Sequence, residues 1–551
     1  VIKAYLRTRF GHLHYRVAGA GAPVVLLHPS PMSGLAMVPI AKALSDQYQT
    51  FCFDTPGYGQ SEALAHPAQS LDDYVNALLA GWDALGIARC ALIGAATGAQ
   101  IAIEISKRFP ERVSLLIADS ACHFSDLERE RILRGYFPDL TPTDHAGHLA
   151  LAWQMSRDLF LAFPWFDPSP AARLKRDIPP PQVINAMVLD YMRAGPDYAR
   201  AYRLAFQNER ASQLKALRVQ TLIPLWESSI LKPHTEALLA QPLPSVVSAL
   251  PIGTGPAARI EAIARAVRKH YRDGKMGEAS AALPTKFGYL TLPFGQLHWR
   301  GDLNGNGLPV IALHDLSGSS EQMAGVIEPL LGQRPVLALD LPGNGDSDLA
   351  TEPLSTADQA NQLALALKHL GINALACWGR YAGAQVALEL AKNPHFDLVE
   401  LVHLGALVAS PDVKAVLLEH DSPSLAAAAD GSHLLRAWHR VRDEAFFWPW
   451  FARSAASALL NAQAPTAKDL TTRVRLLLAM GDRHHDAYQC AQRYPTLAEI
   501  ANFPARRQIF ATRQGDALAD AILATGKRLG CRTALLPNEM NAWAAAIAGA
   551  S

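Results

Sequence analysis

The chain repeats itself, and this restricts its fold more than any other feature of the sequence. Phe10-Gly11-His12-Leu13-His14-Tyr15-Arg16 returns as Phe294-Gly295-Gln296-Leu297-His298-Trp299-Arg300. Val24-Val25-Leu26-Leu27-His28 returns as Val310-Ile311-Ala312-Leu313-His314. Phe53-Asp54-Thr55-Pro56-Gly57-Tyr58-Gly59-Gln60-Ser61 returns as Leu339-Asp340-Leu341-Pro342-Gly343-Asn344-Gly345-Asp346-Ser347. The offset stays at about 285 positions, far beyond the 20–50 residues of stacking repeats, so a whole domain is duplicated. A chain of 551 residues is in any case too long for one core. The expected domains are 1–272 and 284–551, joined by a polar, glycine-bearing linker near Arg272–Ser280.

Within each copy, short apolar runs alternate with helical patterns. In the first, residues 5–18 predict a hairpin. Val24–Leu27, Gln49–Phe53, Cys90–Ile93, Val113–Ala118, Val219–Leu225 and Ser245–Leu250 predict strands, and Pro39–Leu44, Asp72–Leu85, Ala99–Arg108 and Ala257–Val267 predict helices. The expected class is α/β: two tandem doubly wound, mostly parallel sheets, with the site where loops leave the strand C-termini. Residues 123–213 and 411–502 change to long helical stretches rich in Trp, Phe, Met and Arg, and read as a helical cap on each domain.

Composition narrows the function. A net charge of +1 gives no global field for nucleic acid or an anionic membrane, and no run nears the roughly 20 apolar residues of a membrane span. Six cysteines without a C-x-x-C pair, and no signal-like start, point to reduced thiols and a cytoplasmic protein. The Asp340-Pro342-Gly343-Gly345 loop lacks the lysine of a P-loop and the GxGxxG spacing, so no cofactor is expected. The expected partner is a small-molecule substrate or ligand. A homo-oligomer stays open, and an intramolecular pseudo-two-fold pairing of the copies is expected by analogy with isologous dimers.

Chemistry is written most clearly at Gly94-Ala95-Ala96-Thr97-Gly98 and Gly379-Arg380-Tyr381-Ala382-Gly383. Each follows an apolar strand and opens a helix, the setting of a G-x-S-x-G nucleophile elbow. With the loop after His28 and His314, the D-x-P-G-x-G-x-S loop and the inserted cap, both copies resemble α/β-hydrolase fold domains over nearly the whole chain. The first copy is similar to a subgroup with H-x-S-P, F-D-T-P-G-x-G and a G-x-H-T-G elbow. Thr97-Gly98-Ala99 keeps the end of that elbow, and Asp430-Gly431-Ser432-His433-Leu434 in the second copy keeps the subgroup's D-G-S-H-L cap motif.

The resemblance implies a nucleophile at the elbow tip, then an acid, then a histidine base, with an oxyanion hole beside the tip. The first copy has Ala96 at the tip, only Glu227 after Leu222–Leu225, and no His in Ile252-Gly253-Thr254-Gly255. The second has Tyr381 at the tip, Arg380 beside it, Asp516 where the acid belongs, and no His near Pro537-Asn538-Glu539-Met540. A phenol with an ordinary pKa near 10 is a poor nucleophile at neutral pH and a better donor. The catalytic candidates are therefore Tyr381, His433, Asp516 and His148, the two histidines opening the caps. His28, Ser30, Ala96, Thr97, His314, Arg380, Trp153 and Trp438 are the oxyanion and substrate-binding candidates. The bland readings are loop-tying histidines, packing tryptophans and a Tyr381 that plugs a dead pocket. His484-His485 with Asp482 and Asp486 looks like a loose metal cluster, but neighbours on a helix diverge, so a solvated face is expected and no metal.

Two functions follow. One is a cofactor-independent hydrolase or lyase for a small, mainly apolar ester, amide or C–C bond, using Tyr381, His433 and Asp516, or Ser30, Asp54 and His148. The other is a pseudoenzyme, a ligand-binding or assembly module without a triad in either copy. A third, narrower reading is that the natural chain carries His, Ser or Asp where Ala96 stands.

Overall fold

The computed structural model describes residues 1–551 apart from Ala282, Thr351, Leu407, Asn461 and Ser551. It divides into two compact units, Val1–Pro142 with Gly147–Thr285, and Thr143–Ala146 with Lys286–Ser551. The first holds β1 (Ile2–Thr8), β2 (Gly11–Ala18), β3 (Ala22–Leu27), β4 (Tyr48–Phe53), β5 (Ile87–Ala95), β6 (Val113–Asp119), β7 (Thr221–Trp226), β8 (Val247–Ile252) and the short β9 (Lys275–Met276). The sheet order is β1-β2-β4-β3-β5-β6-β7-β8, with β9 against β5. Pairing is antiparallel from β1 to β2 and from β2 to β4, and parallel from β4 across to β8.

The second unit holds β10 (Phe287–Leu292), β11 (Gly295–Asp302), β12 (Val310–Leu313), β13 (Val336–Leu339), β14 (Ala374–Arg380), β15 (Asp397–Leu404), β16 (Gln508–Arg513) and β17 (Arg532–Leu536). Their order, β10-β11-β13-β12-β14-β15-β16-β17, repeats the first sheet strand for strand. Two tandem, mostly parallel, doubly wound sheets are thus what the apolar runs predicted.

Strand alternation explains why helices cover both faces. Val25 and Leu27 pack with the helices Leu71–Leu85 and Thr97–Arg108, while Val24 and Leu26 pack with Val38–Leu44 and Pro256–His270. All four β3 side chains are fully buried, each worth roughly 1.5–3 kcal/mol of transfer free energy. In the second unit Ile311 and Leu313 face one cluster and Val310 and Ala312 the other. Start signals are repeated too. Ser70 with Asp73, and Ser355 with Asp358, form capping boxes on Leu71–Leu85 and Thr356–His369.

The stretch expected as a linker is strapped to the first unit instead. Gly277 N–H donates to Gly86 at 2.7 Å and Ser280 N–H to Asp83 at 2.9 Å, and Lys275–Met276 pairs with β5. The polar, glycine-bearing composition came from an edge strand that pairs through its backbone. Four α-helices, Asp126–Gly135, Gly147–Asp158, Pro181–Ala194 and Ala199–Asn208, occupy the path from β6 to β7. Pro411–His420, Ser432–Asp443, Ala467–Met480, Arg483–Arg493 and Thr496–Asn502 do so from β15 to β16. Among the described residues no helix is long and apolar enough to cross a membrane.

Candidate functional site

Register brings the site loops together. Leu27 at the end of β3 pairs with Gly94, and Ala95 with Asp119 of β6. Leu313 pairs with Gly379, and Arg380 with Leu404 of β15. The elbow tips follow directly, and both take the strained turn: Ala96 at φ 48, ψ −111, and Tyr381 at φ 41, ψ −102. Positive φ at a non-glycine residue is costly and persists only where packing imposes it. Here the flanking glycines do so. A Cβ on Gly98 would strike the Leu27 carbonyl, and one on Gly383 would stand 2.6 Å from the His314 carbonyl oxygen.

Three residues proposed for the site, His28, His314 and Asp54, are occupied by the scaffold. The His28 ring has Nδ1 3.0 Å from the Pro29 carbonyl oxygen and accepts the Thr55 N–H on Nε2 at 2.9 Å. His314 repeats this with Asp315 O at 2.6 Å and Leu341 N–H at 2.9 Å. Each therefore carries its proton on Nδ1 and ties two loops, and burial lowers its pKa, which keeps it neutral. Asp54 accepts Gly34 N–H at 2.6 Å, Gln60 N–H at 2.9 Å, His14 at 2.8 Å and Arg16 at 3.0 Å. Burial would raise its pKa, but Arg16 and His14 outweigh that and hold it ionised, so Asp54 is a structural hub. In the second unit Asp340 accepts from Ser320 N–H, from Asp346 N–H at 2.7 Å and from His298 at 3.0 Å. His298, Asp340 and Asp346 bring their ligand atoms within 4.8 Å of one another, but these bonds already take up the Asp340 oxygens.

His148 and His433, near the starts of the helices Gly147–Asp158 and Ser432–Asp443, are buried rather than poised. His433 accepts Ala428 N–H on Nδ1 at 3.2 Å, and burial, helped by Arg436, lowers its pKa to about 4. Burial lowers His148 likewise to about 4. Neither His433 nor Trp438 lines the second unit's cavity, and Trp438 and Trp153 are packed into the protein. His484 corrects the solvated-face reading. It is buried, with Nδ1 2.7 Å from Gly481 O and Nε2 2.9 Å from Pro423 O, because its helix packs that side inward.

In the first unit Ala96 offers no reactive atom. Ser30 is buried beside the loop tied by His28, and the buried Thr97 hydroxyl has no hydrogen-bond partner among the described residues. Glu227, at the acid position, is turned to solvent and pairs with Lys232 at 3.0 Å. The carboxylate beside the elbow is Asp119, bound by Arg259 Nε at 2.6 Å.

The second unit has a cavity of about 450 Å³ over its elbow, lined by Arg380, Tyr381, Asp516, Asn538, Trp448 and Trp450 among others. Tyr381 and Asp516 are thus brought together as expected, but Asn538 stands where a base would be. Burial pushes the Tyr381 phenol further up, and Asp516 and Asp315 add to this, so it is a neutral O–H donor. Its ring packs over Gly405, where a Cβ would meet Cζ at 2.6 Å. Asp516 is turned back onto Arg513 at 2.9 Å.

Sequence reasoning missed the decisive residue, Asp315. An oxyanion hole on this fold uses the N–H after the elbow tip and an N–H from the loop after the third strand. Here those donors are Ala382 and Leu316, and Asp315 Oδ1 accepts from both, at 3.3 and 2.8 Å. Burial pushes the Asp315 carboxyl up to about 6, against the pull of Arg380. The signal was available: Asp315 follows His314, where the first copy has Pro29.

A protein-family model described as alpha/beta hydrolase fold matches residues 22–222. With the shared strand order, the chain is the α/β-hydrolase fold twice in tandem. It is 32% identical over 111 residues to the uncharacterized carboxylesterase nap of Bacillus subtilis, covering 20% of this chain and 37% of that one. It is 29% identical over 184 residues to the pimeloyl-[acyl-carrier protein] methyl ester esterase of Vibrio cholerae, covering 32% of this chain and 68% of that one. The chain thus spans little more than a third of the length of the first of these relatives. A thermophilic esterase structure from Thermogutta terrifontis superposes with a TM-score of 0.37 at 19% identity, covering 49% of this chain and 97% of that one. By sequence, parts of the chain are similar to esterases.

Proposed function

We propose that this protein is a ligand-binding pseudoenzyme built on the α/β-hydrolase fold, with the second unit's cavity as its binding site. One observation carries the reading: the Asp315 carboxylate sits on the Leu316 and Ala382 N–H groups. Acyl transfer needs those donors free for the developing oxyanion, and each is worth about 10²–10³ in rate. A resident carboxylate both blocks them and repels the charge they would stabilise. Ala96, the absence of a histidine at either base position and the inward Asp516 point the same way. The first unit is read as a scaffold descended from the G-x-H-T-G elbow group, with Ala96 where that group has His.

The test is turnover of p-nitrophenyl and alkyl esters, amides and a C–C-cleavage substrate by the full chain. No release above buffer is expected for the chain or for Tyr381→Phe. Turnover that Tyr381→Phe abolishes would replace this reading with a noncanonical hydrolase. That second reading is favoured by the strained Tyr381 tip, whose phenol would then act as the donor.

A further inference from the structure

We propose that the second unit's cavity binds a small organic monocarboxylate, its charge held by Arg380 and its apolar body laid against Trp448, Trp450 and Leu459. This deepens the binding reading and rests on it.

Four arginines line the cavity: Arg380, Arg440, Arg473 and Arg513. Arg440 is held by Asp421 at 3.1 Å and by Glu444, and it stacks on Trp450 at 4.6 Å. Arg473 pairs with Glu444, and Arg513 with Asp516 at 2.9 Å. Arg380 alone of the four makes no hydrogen bond or ion pair among the described residues. Asp315 is close enough to feel its charge, but its Oδ1 is spent on the two N–H groups. Asp421, Glu444 and Asp516 take up the other three arginines, so the partly exposed Arg380 guanidinium is left as a fork for one incoming carboxylate, in competition with Asp315.

The same wall limits the ligand's charge. Five acids line the cavity, Asp315, Asp421, Glu444, Asp469 and Asp516, against its four arginines, so a second negative charge would be repelled. A phosphate monoester is therefore disfavoured against a monoacid. The cavity's volume lies within the usual range for small-molecule sites, about 300–1,000 Å³. Its far wall supplies indoles and Leu459, which suit an aryl or alkyl body.

Asp315 sets the affinity from inside. It puts a competing carboxylate beside the one that must bind, facing Arg380 and Tyr381 from the elbow, Glu444 from beyond the Ser432–Asp443 helix and Tyr488 from Arg483–Arg493. Removing that charge tightens the site, by substitution or by protonation as pH falls through about 6. Acids with an ordinary carboxyl pKa remain ionised there.

The experiment is calorimetric and tryptophan-fluorescence titration of the full chain with benzoate, phenylacetate and hexanoate, beside methyl phenylacetate and phenyl phosphate. The acids should bind better than the neutral ester and the dianion. Arg380→Gln should weaken them about 10- to 100-fold, the worth of a lost charge-assisted bond, with Arg380→Lys recovering part. Asp315→Asn should tighten them several-fold and flatten the pH dependence. Arg380 has no hydrogen bond or ion pair among the described residues to lose, and the opposite sign at Asp315 guards against a folding artefact. Equal binding of the ester, unchanged affinity in Arg380→Gln, or no acid bound at millimolar concentration with no ester turned over would each overturn the carboxylate inference and leave the pseudoenzyme reading standing. Turnover of the ester would overturn that reading itself.

Discussion

Ala96 and Tyr381 stand at the same point of the same turn, with φ of 48 and 41, yet one carries no functional group and the other a buried phenol. Beside them the loops after β3 and β12 also diverge, Pro29 in one unit and Asp315 in the other. The shared backbone with unlike contents teaches that elbow strain here is held by packing, not by chemistry. Gly94 and Gly98, like Gly379 and Gly383, let strand and helix close to distances that no side chain tolerates. The turn survives whatever occupies its tip.

The deepest break in the comparison is at the buried hubs. Asp54 compensates Arg16, whereas Asp340 has no arginine within ion-pair reach among the described residues, and Arg300 stacks on Phe287 at 4.3 Å. Asp54→Ala should cost about 3–5 kcal/mol by stranding a buried cation, and Asp340→Ala visibly less, as calorimetric unfolding would measure. Because the folded Asp54 carboxyl is held below its ordinary value, its contribution is complete above about pH 4 and is lost as pH falls further. Equal costs at the two hubs would remove this distinction between the units.

A smaller effect is expected at Gly405, whose φ of +81 and contact with the Tyr381 ring both oppose a side chain. Gly405→Ala should cost about 1–3 kcal/mol, and pairing it with Tyr381→Ala should recover the steric part but not the conformational part. Strict additivity in that double-mutant cycle would mean the ring does not rest there. The smallest effect separates the units by pH. Glu209 is buried in the first unit, accepting Cys122 N–H at 2.8 Å, and burial raises its pKa to about 8. A carboxyl raised in the fold favours the protonated form, so stability falls as pH rises from the unfolded value near 4.3 to about 8. Glu209→Gln should therefore stabilise by roughly 1–2 kcal/mol at pH 8 and by little at pH 5, read as melting temperature against pH. A gain independent of pH would contradict the burial argument.

Strands and elbows were legible because they are local. Val24–Leu27 is apolar throughout, and the Gly-x-x-x-Gly turns sit between a strand and a helix whatever the tertiary context. Histidine roles were not legible, because they depend on what faces each ring. His28 and His314 could be read either as site residues or as loop ties, and the loop tie is what the structure shows, whereas His484, expected on a solvated face, is buried. Asp315 escaped notice for a related reason. Its importance lies in reaching back to Leu316 and across to Ala382, a contact that appears only when β12 and β14 lie side by side.

The most direct measurement is the pH titration of the Leu316 and Ala382 amide resonances by nuclear magnetic resonance, in the chain and in Asp315→Asn. Both amides are expected to move together with a midpoint near pH 6, and this shared movement is expected to be absent from Asp315→Asn. Amides that do not respond to pH, or respond equally without the carboxylate, would mean that the oxyanion donors are not held by Asp315, and the central claim would fall.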